Sequence, residues 1–98
     1  MPRSVELHPA AERELERAQD WYFARSPEAA FHFNDRIWNS IEAIRRNPDL
    51  FAPFYRDHRR AVVVKFPYLI IFRVTPDCIR VIAVAHAKRK SLYWRNRQ

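Results

Sequence analysis

Two amphipathic stretches in the first half of the chain have the spacing of helices. Their apolar positions recur every three or four residues, which places them on one face of a helix. In the stretch from Pro9 to Arg25, these positions are Ala11, Leu15, Ala18 and Tyr22. In the stretch from Pro27 to about Asn47, they are Ala30, Phe33, Ile37, Ile41 and Ile44. Ser26 lies between the two as a capping residue, so the sequence predicts a hairpin of two antiparallel helices.

Apolar runs of the length of strands occupy the remainder of the chain. Ser4 to His8 is a short alternating segment. A loop over residues 48–57, which contains two prolines, is followed by three runs rich in Val, Ile and aromatic residues: His58 to Phe66, Tyr68 to Thr75 and Cys78 to His86. The turns between these runs are short, which predicts an antiparallel meander. We therefore expect one α+β domain over residues 1–98, in the order β-α-α-β-β-β, with an antiparallel sheet packed against the N-terminal helical hairpin.

The composition excludes several kinds of site. The chain has no glycine, so a glycine-rich phosphate loop is excluded, and Cys78 is its only cysteine, so an internal disulfide is excluded. The four histidines have no metal-ligand spacing, and we predict neither a metal nor a cofactor. The sequence has no apolar signal core and no run long enough to span a bilayer, which favours a cytoplasmic protein without a membrane partner.

Charge is distributed unevenly along the chain. Residues 1–54 contain seven Lys and Arg against nine Asp and Glu, whereas residues 55–98 contain eleven against two. The second half therefore predicts an acidic partner, such as a nucleic acid, a nucleoprotein machine or an acidic protein. The alternative is that the basic C-terminal segment is simply a solvated surface. The candidate binding residues are Lys65, Arg73, His86, Lys88, Arg89, Tyr93, Trp94, Arg95 and Arg97.

Four motifs in this order resemble the RelE/ParE superfamily of toxins from bacterial type II toxin–antitoxin modules. They are H-P-x-A-x-x-E-L-x-x-A-x-x-W-Y from His8 to Tyr22, N-P at Asn47-Pro48, K-F-P-Y-x-I-x-F-R-V from Lys65 to Val74, and V-x-A-V-A-H-x-K-R with Y-W-x-x-R from Val81 to Arg97. The resemblance implies a cognate antitoxin whose acidic, flexible segment wraps the toxin, and roles in growth arrest and plasmid stabilisation.

The superfamily contains two activities, and the resemblance leaves both open. RelE-like members are ribosome-dependent mRNA endonucleases, whereas ParE-like members inhibit DNA gyrase and are not nucleases. Scission through a 2′-hydroxyl needs a base, an acid and cations around the phosphate. Here the nuclease candidates are Arg89, His86 and Tyr93, but Ala61 to Val64 lacks the lysines of the nuclease branch, and Leu69 replaces its arginine. We favour the ParE-like branch and assign no catalytic residue.

Two further alternatives concern the aromatic residues and the activity itself. Tyr93 and Trp94 could stack on bases, or they could pack back over the sheet, which we favour for Trp94. The chain could also be a small nucleic-acid-binding module or a degenerate toxin rather than an active one.

Overall fold

The structure, a computed structural model, describes residues 3–98 and contains two helices and five strands. In chain order these are β1 (Ser4–Leu7), α1 (Pro9–Arg25), α2 (Pro27–Arg46), a short 3-10 helix (Pro48–Leu50), β2 (Pro53–Tyr55), β3 (His58–Val62), β4 (Tyr68–Val74) and β5 (Cys78–His86). This arrangement confirms the predicted α+β class and the predicted helical hairpin.

Both helices begin at a capping residue, which the sequence predicted at Ser26 for α2 but not at His8 for α1. The His8 Nδ1 atom accepts a hydrogen bond from the Ala10 N–H at 3.0 Å, and the Ser26 Oγ atom accepts one from the Ala29 N–H at 3.0 Å. A proline follows each capping residue, where its missing N–H costs nothing. The predicted apolar stripes face the sheet: all five stripe residues of α2 and the three aliphatic ones of α1 are buried.

The five strands form one sheet in the order β1-β5-β4-β3-β2. The pairs β2–β3, β3–β4 and β4–β5 are antiparallel, as the meander predicted, but β1 runs parallel to β5, with Ser4 opposite Cys78 and Leu7 opposite Val81. The sheet is therefore mixed rather than wholly antiparallel. The helical hairpin between β1 and the meander provides the long connection that a parallel pairing requires.

One strand was not predicted from the sequence, and the predicted end of another was wrong. The loop over residues 48–57 contains the short edge strand β2, where Pro53 is tolerated because no strand beyond it needs its N–H. Strand β3 ends at Val62 rather than at Phe66, because the chain turns there and Lys65 adopts a left-handed backbone conformation with φ of 70°.

The two faces of the sheet are covered by different parts of the chain. The helices pack on one face, called here the helix face, around a cluster that includes Phe33, Ile37, Ile44, Ile70 and Phe72. The segment after β5 turns back and covers the other face, called here the tail face, where Trp94 packs with Ile71, Ile82, Ala83 and Ala85. The basic C-terminal segment is thus part of the fold.

Candidate functional site

The segment of residues 87–98, called here the tail, is held on the sheet by one buried aromatic side chain. Trp94 is only 3% exposed, and its ring lies 4.9 Å from the ring of His58 and 5.8 Å from that of Tyr55. Trp94 was predicted as a candidate binding residue; the structure buries its ring against the sheet, and a direct role for it in binding a partner stays a prediction. The alternative that Trp94 packs back over the sheet is confirmed.

A single carboxylate on α1 fixes the rest of the tail. The Tyr93 hydroxyl donates to Glu14 Oε2 at 2.6 Å. The Arg97 guanidinium donates to both oxygens of Glu14, at 2.8 Å to Oε1 and 3.1 Å to Oε2. Arg89 Nη1 lies 3.5 Å from Oε2, and its guanidinium carbon lies 3.7 Å from the centre of the Tyr93 ring. Three of the nine candidate binding residues therefore meet at one acidic side chain.

The side chains of Glu14 and Arg97 also form hydrogen bonds to the backbone at the edge of β5. Strand β1 covers this edge as far as Val81, whose carbonyl accepts from the His8 N–H at 2.8 Å. Beyond that point the Val84 N–H donates to Glu14 Oε1 at 3.1 Å, and Arg97 donates to the Ile82 carbonyl at 3.1 Å. Glu14 and Arg97 thus satisfy backbone groups that a neighbouring strand would otherwise pair, and they leave no open edge there.

A cavity of about 450 Å³ lies beside this network, between α1 and the ends of β4 and β5. Its cationic groups are Arg17 from α1 and Arg89 from the tail, and the ring of His86 lies on the same wall. Three aromatic side chains, those of Trp21, Tyr22 and Tyr68, also line it, and the His86 ring packs edge-on against Tyr68 at 5.1 Å. The cavity therefore combines positive charge with aromatic surface.

The hydrogen bonding of His86 determines what its ring can do. The Lys88 backbone N–H donates to His86 Nδ1 at 3.0 Å. In the neutral ring this bond places the proton on Nε2, so that Nε2 is a donor and Nδ1 is already occupied. His86 is therefore arranged to donate a hydrogen bond rather than to accept a proton from a substrate.

Tyr93 is held in its neutral form. Burial raises the pKa of its hydroxyl well above the usual value of 10, and the hydrogen bond to the Glu14 carboxylate raises that pKa further. The proton is directed at Glu14 and away from the cavity, so Tyr93 supplies neither a free acid nor a phenolate.

The other predicted residues lie elsewhere. Arg73 donates to the Asp57 carboxylate at 3.1 Å, and Lys65 occupies the turn between β3 and β4; neither lines the cavity. Lys88 and Arg95 are exposed on the tail. Within residues 3–98, no cluster of three or more His, Cys, Asp or Glu side chains could hold a metal ion, and neither helix is long and apolar enough to cross a membrane.

Comparisons with known proteins agree with this fold. The family described as "ParE toxin of type II toxin-antitoxin system, parDE" matches residues 5–91. The chain belongs to this family. Membership confirms the superfamily resemblance and implies a cognate antitoxin as the partner of this ParE-family toxin.

Three relatives illustrate the range of similarity. The toxin is 28% identical to Toxin ParE2 of Mycobacterium tuberculosis over 88% of its own chain and 83% of that protein. It is 31% identical to Toxin RelE3 of Caulobacter vibrioides over 87% of its chain and 95% of that protein. A structure of the chromosomal ParDE system from P. aeruginosa superposes with a TM-score of 0.76 over 88% of the toxin and 97% of that chain, at 18% identity, which shows the shared fold.

Sequence reasoning missed the three α1 residues that complete the site. Glu14 follows Ala11 by three residues and precedes Ala18 by four, so it lies beside the buried stripe, where an unpaired carboxylate is costly. That position could have indicated a buried partner. Arg17 and Trp21 continue the same side of the helix, but nothing in the sequence indicates that the tail returns to meet them.

Proposed function

We propose that this ParE-family toxin inhibits DNA gyrase by binding to it, without cutting nucleic acid, and that its antitoxin prevents this binding. The observation that carries the proposal is the state of His86 and Tyr93. The His86 Nδ1 atom accepts a hydrogen bond from the Lys88 N–H. The Tyr93 hydroxyl donates a hydrogen bond to the Glu14 carboxylate. A nuclease that uses the 2′-hydroxyl needs a base and an acid, and neither residue is free for these roles.

The surface around β3 and β4 supports the same proposal. Val62 and Val64, from the segment where the nuclease branch has lysines, are 67% and 54% exposed. Leu69 occupies the position of that branch's arginine and packs with the tail-face cluster. Arg17 brings a second guanidinium to the cavity beside Arg89, so positive charge is present there, but charge without a base and an acid binds a phosphate rather than cleaving its ester.

The exposed part of the tail is the surface that we propose contacts the target and the antitoxin. Lys88, Lys90 and Arg95 are all exposed, and they follow one another on a segment that Trp94 and Glu14 fix in place. A rigid, basic surface suits both an acidic antitoxin segment and a nucleoprotein target in the cytoplasm.

A supercoiling assay with purified gyrase tests the proposal. We expect the toxin to inhibit supercoiling and an excess of the cognate antitoxin to restore it. The double substitution K88Q/K90Q should weaken inhibition, whereas R3Q/R13Q, which removes the same charge from exposed positions elsewhere, should not. Full supercoiling at saturating toxin would contradict the proposal, as would new 5′ ends on translated mRNA that disappear with Arg89→Ala.

A further inference from the structure

The cavity between α1 and the ends of β4 and β5 has no part in gyrase binding as proposed above, yet its walls are complementary to one kind of ligand. Its volume of about 450 Å³ falls within the range of small-molecule sites. The lining residues that bear on a ligand are Glu14, Arg17, Trp21, Tyr68, His86 and Arg89.

The cationic and imidazole groups that can meet a ligand are donors, and the Tyr22 and Tyr68 hydroxyls in the wall can donate as well. Arg17 is exposed at the rim, and the side chain of Arg89 is 51% exposed. His86 adds an Nε2–H donor, because its Nδ1 atom accepts from the Lys88 N–H. Two guanidinium groups and one ring N–H together match an oxyanion, and guanidinium groups suit phosphate in particular.

The acidic residue in the cavity wall does not oppose an anion strongly. Glu14 Oε1 accepts from Val84 and Arg97, and Oε2 accepts from Tyr93 and Arg97. Its charge is therefore balanced by Arg97, whose side chain is only 20% exposed. Arg89 is the second and more distant cation of the network, at 3.5 Å from Oε2, and it retains donors for a ligand.

The exposed Trp21 side chain in the cavity wall indicates which chemical group is attached to a bound phosphate. Trp21 is 50% exposed although it lies in the cavity wall, and the Arg25 guanidinium lies over its ring at 3.3 Å from the centre. Arg25 does not line the cavity, whereas Trp21 does and has half of its surface exposed, so the indole offers exposed aromatic surface to a planar ligand. A tryptophan face beside two guanidinium groups is the combination by which proteins hold the base and the phosphate of one nucleotide.

We propose that this cavity binds a nucleotide unit, with its phosphate on Arg17, Arg89 and the His86 Nε2–H and its base on Trp21, and leaves that unit chemically intact. The engaged His86 Nδ1 atom and the engaged Tyr93 hydroxyl explain why binding would not lead to cleavage. The proposal goes beyond gyrase inhibition, because it gives the toxin a second, nucleotide-specific contact.

The probe is adenosine 5′-monophosphate, titrated into the ¹⁵N-labelled full chain at about 0.15 M salt, where distant surface charges are screened. We expect saturable shifts at the Trp21 indole N–H and at the amides of residues 86–89. Adenosine should bind at least about tenfold more weakly, since the charge-assisted hydrogen bonds to phosphate are lost. Inorganic phosphate should shift residues 86–89 and leave the Trp21 indole unchanged.

Substitutions inside and outside the cavity distinguish binding in the cavity from non-specific attraction of an anion to a basic protein. Arg17→Gln should weaken adenosine monophosphate binding about tenfold, while Arg13→Gln, one turn earlier on the exposed side of α1, should leave it unchanged. Trp21→Leu should weaken binding of the nucleotide but not of phosphate. Equal effects of the two arginine substitutions would overturn the proposal, and so would an unmoved Trp21 indole.

Two further probes complete the test. N-acetylglutamate amide represents an acidic side chain of a protein partner, and tighter binding of it than of the nucleotide would overturn the proposal. The dinucleotide ApA should be recovered intact after incubation with the toxin, and its cleavage would refute the claim that the site is not catalytic. The supercoiling assay is independent of these measurements, so either proposal can fail alone.

Discussion

The two faces of the sheet are built on different principles. The helix face is covered by two regular helices, and its cluster contains fourteen buried residues from both helices, from strands β3, β4 and β5, and from Val63 just after β3. The tail face has a cluster of five buried residues under an irregular segment, with one tryptophan at its centre and one buried carboxylate at its border. One face is thus secured by many similar contacts and the other by a few specific ones.

This difference is the reason why we place the proposed binding surface on the tail face. A large buried apolar cluster spreads its stabilisation over many contacts, but it presents no charged group for a partner to recognise. The tail face holds basic side chains at fixed positions because Trp94 and Glu14 fix the backbone that carries them. Its few anchors also make it the weaker of the two, so substitutions at the anchors should loosen the tail while the helices remain folded.

Trp94→Ala should have the largest effect on the tail face. Loss of this buried ring should reduce the free energy of unfolding by about 3 kcal/mol and expose the amides of residues 88–97 to rapid hydrogen exchange. Phe33→Ala is the matched change on the helix face and should cost about 3–5 kcal/mol while speeding exchange throughout the chain. Chemical denaturation and hydrogen exchange measure both effects. If Trp94→Ala also speeds exchange in α2, the two faces are not separable.

Glu14→Gln should have the next largest effect, about 2 kcal/mol, because it leaves Arg97 partly buried without a counter-ion and weakens the acceptor of the Tyr93 hydroxyl. Thermal or chemical denaturation measures the loss, and hydrogen exchange should localise it to the tail and to Val84. Glu16→Gln, on the exposed side of the same helix, is the control and should change stability by less than about 0.5 kcal/mol. Similar losses in the two variants would show that Glu14 is not an anchor.

The smallest expected effect is a pH dependence centred on His58, which packs against Trp94. Burial lowers the pKa of His58 below its usual value of 6.5, although the Tyr55 carbonyl and Asp57 partly offset this, so the unfolded chain binds the proton more readily than the folded one. Stability should therefore be full above the unfolded pKa of about 6.5 and decline as the pH falls through the lower folded value.

Denaturation midpoints measured between pH 8 and 5 give the slope of stability against pH. The substitution His58→Phe should reduce this slope. His8 needs a control of its own, because burial and nearby arginines lower its pKa too and its Nδ1 atom caps α1. His8→Asn keeps a capping oxygen and removes the titration. A slope that is unchanged by His58→Phe, and abolished by His8→Asn, would place the acid sensitivity at the helix cap instead of on the tail face.

The sequence predicted the helix face well because periodicity alone specifies it. Every stripe residue of α2 and the span of β5 were found where the pattern placed them. The tail face was not predictable in the same way. Glu14 and Arg97 are 83 residues apart, and no local spacing relates them. The short strand β2 and the parallel partner of β1 were missed for the same reason, since pairing across the chain leaves no periodic signal of its own.

The parallel pairing of β1 with β5 has a consequence for the synthesis of the protein. Strand β1 cannot pair until β5 has been synthesised, so a strand that precedes both helices in the chain pairs after they can have formed. Closing so long a loop is slow in comparison with forming a hairpin of helices. During synthesis, the helical hairpin can therefore form before β1 has a strand with which to pair, and the sheet is completed only after β5 has been made.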